Sequence, residues 1–110
     1  MVHPTPESKQ NIYMKGVFIA FDQAHKEAVI GALDRLNCRG FSFIEQLQGR
    51  GSKTGEPHYG THAWASMNSG IITMVDDAIV DKLLAALKNI DENAEMLGLR
   101  AFVWNIEQYY

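Results

Sequence analysis

"SGIITMVDDAIVDKLLAALKNI", Ser69–Ile90, holds two hydrophobic periods joined by a pair of aspartates. Its first seven residues are almost continuously apolar, the pattern of a strand that seeks burial on both faces. Beyond Asp76 and Asp77 the period changes. Ile79, Leu83, Leu87 and Ile90 fall at helical spacing, and Val80 and Leu84 widen the stripe. Aspartates at that junction serve as helix cap and as partners of the helix dipole.

The same order recurs upstream. "YMKGVFIAF", Tyr13–Phe21, is a dense apolar run that ends at Asp22, a good N-cap. From Gln23 to about Asn37 the residues Val29, Leu33 and Leu36 keep helical spacing, with Ala28 and Ala32 alongside. Asn37 and Gly40 supply the stop. "GFSFIEQLQ", Gly40–Gln48, then reads as a β-favouring strand running to Gln48. Downstream, "LGLRAFVWNIEQYY", Leu97–Tyr110, closes the chain as another strand. The halves echo one another in "GVFIAFD" and "GIITMVD", and again in "FSFIEQ" and "VWNIEQ". The second half is longer because "DENAEMLG" lies between its helix and its last strand. Two tandem βαβ halves predict an α+β fold, a ferredoxin-like βαββαβ sandwich with two helices on one face of a four-stranded antiparallel sheet.

Two helices cover only one face of such a sheet. The other face would expose more apolar surface than a monomer usually carries, so self-association through that face is expected. Barrel-like curling, or cover by the N-terminal tail, is the alternative. Residues 1–12, polar and carrying two prolines, read as a mobile tail, and 13–110 as a single domain.

Composition narrows the function. The net charge of -3 and the lack of a basic run argue against a nucleic-acid binder. The single cysteine, Cys38, forms no internal disulfide, which fits a reducing cytoplasm. No run approaches the roughly 18 apolar residues of a membrane span, so no direct membrane insertion is expected. His25 and Glu27 read as surface residues of the first helix. No nucleophile, base and orienter stand at telling spacing, and no enzyme is predicted.

Between the halves lies "GRGSKTGEPHYGTHAW", Gly49–Trp64, in a connection of about twenty residues where a short hairpin would do. Gly49, Gly51 and Gly55 would let backbone amides approach an anion, with Arg50 and Lys53 adding charge. His58 and His62 are candidate ligands for a divalent metal, completed by Glu56 or by another subunit. Tyr59 and Trp64 are candidate partner anchors. At the other end of the chain, Trp104, Tyr109 and Tyr110 are candidates for cleft lining or subunit contacts. Each has a bland counterpart: a glycine-rich hairpin, solvated histidines, or aromatic residues packed beneath the arm.

The chain after the tail resembles the PII superfamily of signal proteins. "EQLQGRGSKTG" carries a G-x-G-x-x-x-G spacing at Gly49, Gly51 and Gly55, like the opening of that family's long T-loop. "ITMVDDAIVDKLLAAL" resembles its second helix start. The resemblance implies a homotrimer with sheets packed inward, a small effector in intersubunit clefts, and a T-loop-like arm at about 49–66. An adenine nucleotide is the first candidate effector, and a protein or membrane-transporter target would be met through the arm. The departures are equally specific. Where members that bind ATP carry a T-G-x-x-G-D-G-K loop, this chain has the acidic "DENAEMLG", with Asp91, Glu92 and Glu95. Inside the glycine motif the usual basic positions are Ser52 and Thr54, with Arg50 and Lys53 one position away. The lysine usual after the first strand is replaced by the "FDQ" turn, and no basic residue follows Arg100 in the last strand. The reading is therefore a PII-like regulatory protein lacking the usual phosphate loop. The alternative is a metal-binding or metal-tolerance protein on the same scaffold, using His58 and His62.

Overall fold

A computed structural model of the protein describes residues 14–47, 67–94 and 98–110. The apolar runs become strands β1 (Met14–Phe21), β2 (Phe41–Ile44), β3 (Ser69–Asp76) and β4 (Leu99–Asn105). The amphipathic runs become helices α1 (Lys26–Arg35) and α2 (Asp77–Glu92). The strands form one antiparallel sheet in the order β2-β3-β1-β4. Each βαβ half therefore straddles a strand of the other half, as the ferredoxin-like expectation requires.

Register sorts the side chains. Ile19 lies between Ile71 and Ala101, and Val17 between Thr73 and Val103. Val17, Ile19, Phe21, Ile71 and Val75 meet Val29 and Leu33 of α1 and Leu83 and Leu87 of α2 in one core. Ile79, Val80 and Ile90 pack against its margin. Burying each such side chain is worth about 1.5–3 kcal/mol relative to leaving it in water.

Alternate residues face the opposite way, where no helix lies. Phe18 and Ile72 pair across β1 and β3, and Phe18 stacks on Phe102 of β4 with ring centroids 6.4 Å apart. Met74, Phe102 and Trp104 remain 50%, 42% and 43% exposed. The apolar second face anticipated from the strand composition is thus present and open within the single chain.

Local chemistry sets the element ends. Asn37 adopts φ 61, a left-handed conformation that asparagine tolerates. It lets Cys38 N–H donate to Leu33 O at 2.8 Å and Asn37 N–H to Asp34 O at 3.1 Å, the paired bonds of a Schellman stop. The Asp22 carboxylate accepts from Ala24 N–H at 2.9 Å.

Four expectations change in detail. A 3-10 turn, Gln23–His25, precedes α1 and swings the His25 side chain inward, leaving it only 5% exposed where a surface position was expected. Ala28, expected alongside the apolar stripe of α1, is exposed. Asp76 occupies the N-cap of α2 but makes no side-chain capping bond, while Asp77 sits 3.8 Å from Lys15 Nζ. Finally, β2 stops at Ile44 and does not reach Gln48. Its ladder ends opposite Gly70, and the chain beyond it bonds to Asn68 and Ser69 in another pattern.

Candidate functional site

The connection between the halves leaves and returns at the end of the sheet where β1 and β2 finish and β3 and β4 begin. Sequence and local bonding make that end a clamp. Leu47 N–H donates to Asn68 O at 2.8 Å, and the Ser69 hydroxyl donates to Glu45 O at 2.9 Å. The Asn68 side-chain oxygen accepts from Gln23 N–H at 2.9 Å, which ties the same point to the β1–α1 turn. Asp22 N–H donates to Gly98 O at 2.9 Å, which draws in the α2–β4 connection.

Gly70 explains why Leu47 sits where it does. A Cβ at residue 70 would lie 2.8 Å from Leu47 Cδ1 and 3.0 Å from Phe18 Cε1, so the leucine occupies space that only glycine leaves. Lys26 Nζ lies 4.4 Å from the centre of the Phe43 ring, which in turn stacks on Phe21. This cation–π contact closes the core at the same end.

His25 is the residue here that its sequence position concealed. It is buried, and its Nε2 has no hydrogen-bond partner among the described residues. Asp22 is the local feature that starts the 3-10 turn: its carboxylate accepts from Ala24 N–H and its carbonyl from His25 N–H at 2.8 Å.

The first two acids of "DENAEMLG", Asp91 and Glu92, each have a cation nearby. Asp91 lies 3.6 Å from Arg100 Nη1, and Lys88 lies 4.0 Å from Glu92 one helical turn on. Arg100 also donates to Leu99 O at 2.9 Å, so the one arginine of β4 is engaged by its own chain. The Arg100–Asp91 pair borders a shallow hollow of about 250 Å³ between α2 and β4, lined also by Leu84, Leu87 and Ala101.

Gly49, Arg50, Gly51, Lys53 and Gly55, the candidate anion ligands, lie outside the described residues, as do His58, His62, Tyr59 and Trp64. The tail at 1–12 and the arm at 49–66 lie outside them too. Among the described residues, no group of three or more His, Cys, Asp or Glu side chains is placed to hold a metal ion. Cys38 is buried, and burial pushes its thiol up from the ordinary value, which makes it a poor nucleophile at neutral pH. Trp104, Tyr109 and Tyr110 line a cavity at the opposite end of the sheet.

Comparison with known proteins agrees with this architecture. Residues 14–110 match the family model of the nitrogen regulatory protein P-II. CPII, a nitrogen regulatory PII-like protein from Thiomonas intermedia K12, solved bound to ADP, AMP and bicarbonate, is 25% identical with a TM-score of 0.59. The match covers 83% of this chain and 91% of CPII. A DUF3240 family protein from Shewanella baltica OS155 has a TM-score of 0.65 at 18% identity, covering 89% of this chain and 94% of its own. A putative PII-like signalling protein from Thermus thermophilus has a TM-score of 0.58 at 19% identity, covering 84% and 86% of the two chains. No curated protein matches the sequence.

Proposed function

Because the chain belongs to the nitrogen regulatory protein P-II family, we propose that it is a cytoplasmic regulatory protein that senses a small effector between subunits. The effector is an adenine nucleotide or another small anion, and the signal leaves through the Gly49–Trp64 arm to a protein or membrane-transporter target. The observation that carries this reading is the likeness to CPII, whose structure holds ADP, AMP and bicarbonate. The clamped end of the sheet supports it. An arm anchored through Leu47, Asn68 and Gln23 transmits an effector's contacts to its own conformation without disturbing the core.

In this reading Gly49, Gly51 and Gly55 present amides to the anion, and Arg50 and Lys53 supply charge. The open sheet face, with Phe18, Ile72, Met74 and Phe102, is covered by two further copies in a homotrimer. The mechanism is a ligand-biased loop conformation, with no bond made or broken. No described helix is long and apolar enough to cross a membrane. The reading based on His58 and His62 as metal ligands has no specific observation in its favour.

Thermal-shift titration with ADP, AMP, ATP and bicarbonate, at fixed protein concentration, tests the proposal. Ligand at 100 times its Kd stabilises the native state by about 2.7 kcal/mol. For a domain of this size that raises Tm by on the order of 10 °C. Arg50→Ala is expected to remove most of the shift. A flat response to all four ligands overturns the sensing proposal, and a monomer in sedimentation overturns the trimer.

A further inference from the structure

The two peptide units that flank Asp22 are held by different parts of the chain. The first donates Asp22 N–H to Gly98 O at 2.9 Å, at the entry to β4. The second donates Gln23 N–H to the Asn68 side-chain oxygen at 2.9 Å, where the arm returns to the sheet. That second unit is planar, so its carbonyl, Asp22 O, is fixed together with the Gln23 N–H, and it accepts from His25 N–H at 2.8 Å. Asp22 stands at φ -69 and ψ 141, and its carboxylate holds Ala24 N–H at 2.9 Å. Phe21, just before the turn, is fully buried, and so is most of His25 within it. A turn pinned in this way has little freedom to bend between its two outward bonds. A shift imposed at Gln23 is carried to Asp22.

Asn68 has a partner on each side. Its backbone carbonyl accepts from Leu47 N–H at 2.8 Å, and its side-chain oxygen accepts from Gln23. Beside it, the Ser69 hydroxyl donates to Glu45 O at 2.9 Å. These ties differ in what breaking them costs. Ser69 is fully buried, and a hydroxyl stripped of its partner there is left away from water. Asn68 and Gln23 are both exposed, so their bond trades for bonds to water at a net cost of about 0.5–1.5 kcal/mol. The two stems of the arm therefore stay tied to each other while their tie to the turn opens and closes.

We propose that Asn68 is the hub of a conformational relay between the arm's base and the entry to β4. With the Asn68–Gln23 bond made, the stems, the β1–α1 turn and Gly98 move together. With it open, the stems move alone. Coupling of this kind is reciprocal: a displacement of Gly98 biases the arm's base, and a pull on the arm's base biases Gly98. Its size is limited to what one such bond is worth, a factor of roughly 2–10 in population. The relay lies within one chain, and only its use in carrying an effector's signal rests on the regulatory reading above.

Backbone amide exchange of the full chain, followed by NMR, tests the relay. The Gln23 and Asp22 amides are expected to open together and to exchange faster than Ile19 of the core. Asn68→Ala removes the acceptor and is expected to speed both by roughly three- to tenfold. Asn68→Asp keeps an oxygen acceptor and is expected to return both to within about twofold of the unsubstituted chain. Gln23→Pro deletes the donor at the first position of the turn, where proline is tolerated, and the extended Asp22 suits the residue before it. In that background Asn68→Ala is expected to leave Asp22 exchange unchanged. An Asp22 amide that ignores Asn68→Ala, that exchanges only as slowly as Ile19, or that responds equally with and without Gln23→Pro overturns the proposal. A chain stabilised by ADP whose Asp22 amide ignores Asn68→Ala sinks the relay and leaves the regulatory reading standing. The coupled response in a chain indifferent to ADP, AMP, ATP and bicarbonate does the reverse.

Discussion

A methyl group added at Gly16 has no room. Its carbon would lie 2.4, 2.5 and 2.7 Å from Cε2, Cζ2 and Nε1 of Trp104, well inside contact distance. The β1 backbone is held on both edges by β3 and β4, so the indole must move. Trp104 is 43% exposed, and swinging it off β1 returns roughly 80 Å² of apolar surface to water. At about 25 cal/mol per Å² that costs about 2 kcal/mol. Alanine recovers about 0.5–1 kcal/mol of the entropy that glycine loses in a strand. Gly16→Ala is therefore expected to lose about 1 kcal/mol, or roughly 4 °C in Tm. Urea denaturation measures the loss, and in a Trp64→Phe background the Trp104 emission maximum should shift to the red. Unchanged stability together with unchanged emission would refute the claim that Gly16 is glycine because of Trp104.

Asn37→Gly should stabilise the chain by about 0.5–1 kcal/mol because residue 37 sits at φ 61, whereas Asn37→Ala should destabilise it by a similar amount; paired denaturation curves decide. Thr73→Val keeps the shape of a buried side chain but deletes the 2.8 Å bond from Thr73 Oγ1 to Gly40 O, for an expected loss of about 1–2 kcal/mol in urea. Cys38 gives a pH prediction. Its folded-state pKa is raised by burial, so the native chain keeps the proton where the unfolded chain has lost it. Its contribution to stability is intact below the ordinary thiol value and falls as pH rises from there through the raised folded value. The alkaline slope of stability against pH should flatten in Cys38→Ala.

The strands and helices could be read from the chain because their signals are local and repeated. The aspartate that follows each apolar run, the change from strand-like to helical spacing and the asparagine stop after α1 are each settled within a few residues. The duplicated order then left few topologies, and the excess of apolar residues in β1 and β3 announced a second face in need of cover. The end of β2 was not legible, because it depends on Gly70, twenty-six residues beyond Ile44, leaving a place for Leu47. The inward position of His25 was not legible for a related reason: it lies in a 3-10 turn, where side chains fall at a different angle from those of an α-helix.

Sequence by itself determined the elements, their order and the two-faced sheet, since propensity, capping and hydrophobic period act over one turn or one strand. Only tertiary structure decided which long-separated residues meet. Leu47 is clamped to Asn68, Asp22 to Gly98, and Trp104 lies over Gly16 beside a hollow that the last residues line. Those contacts follow from strand register, and register is set by packing of the whole core against both helices.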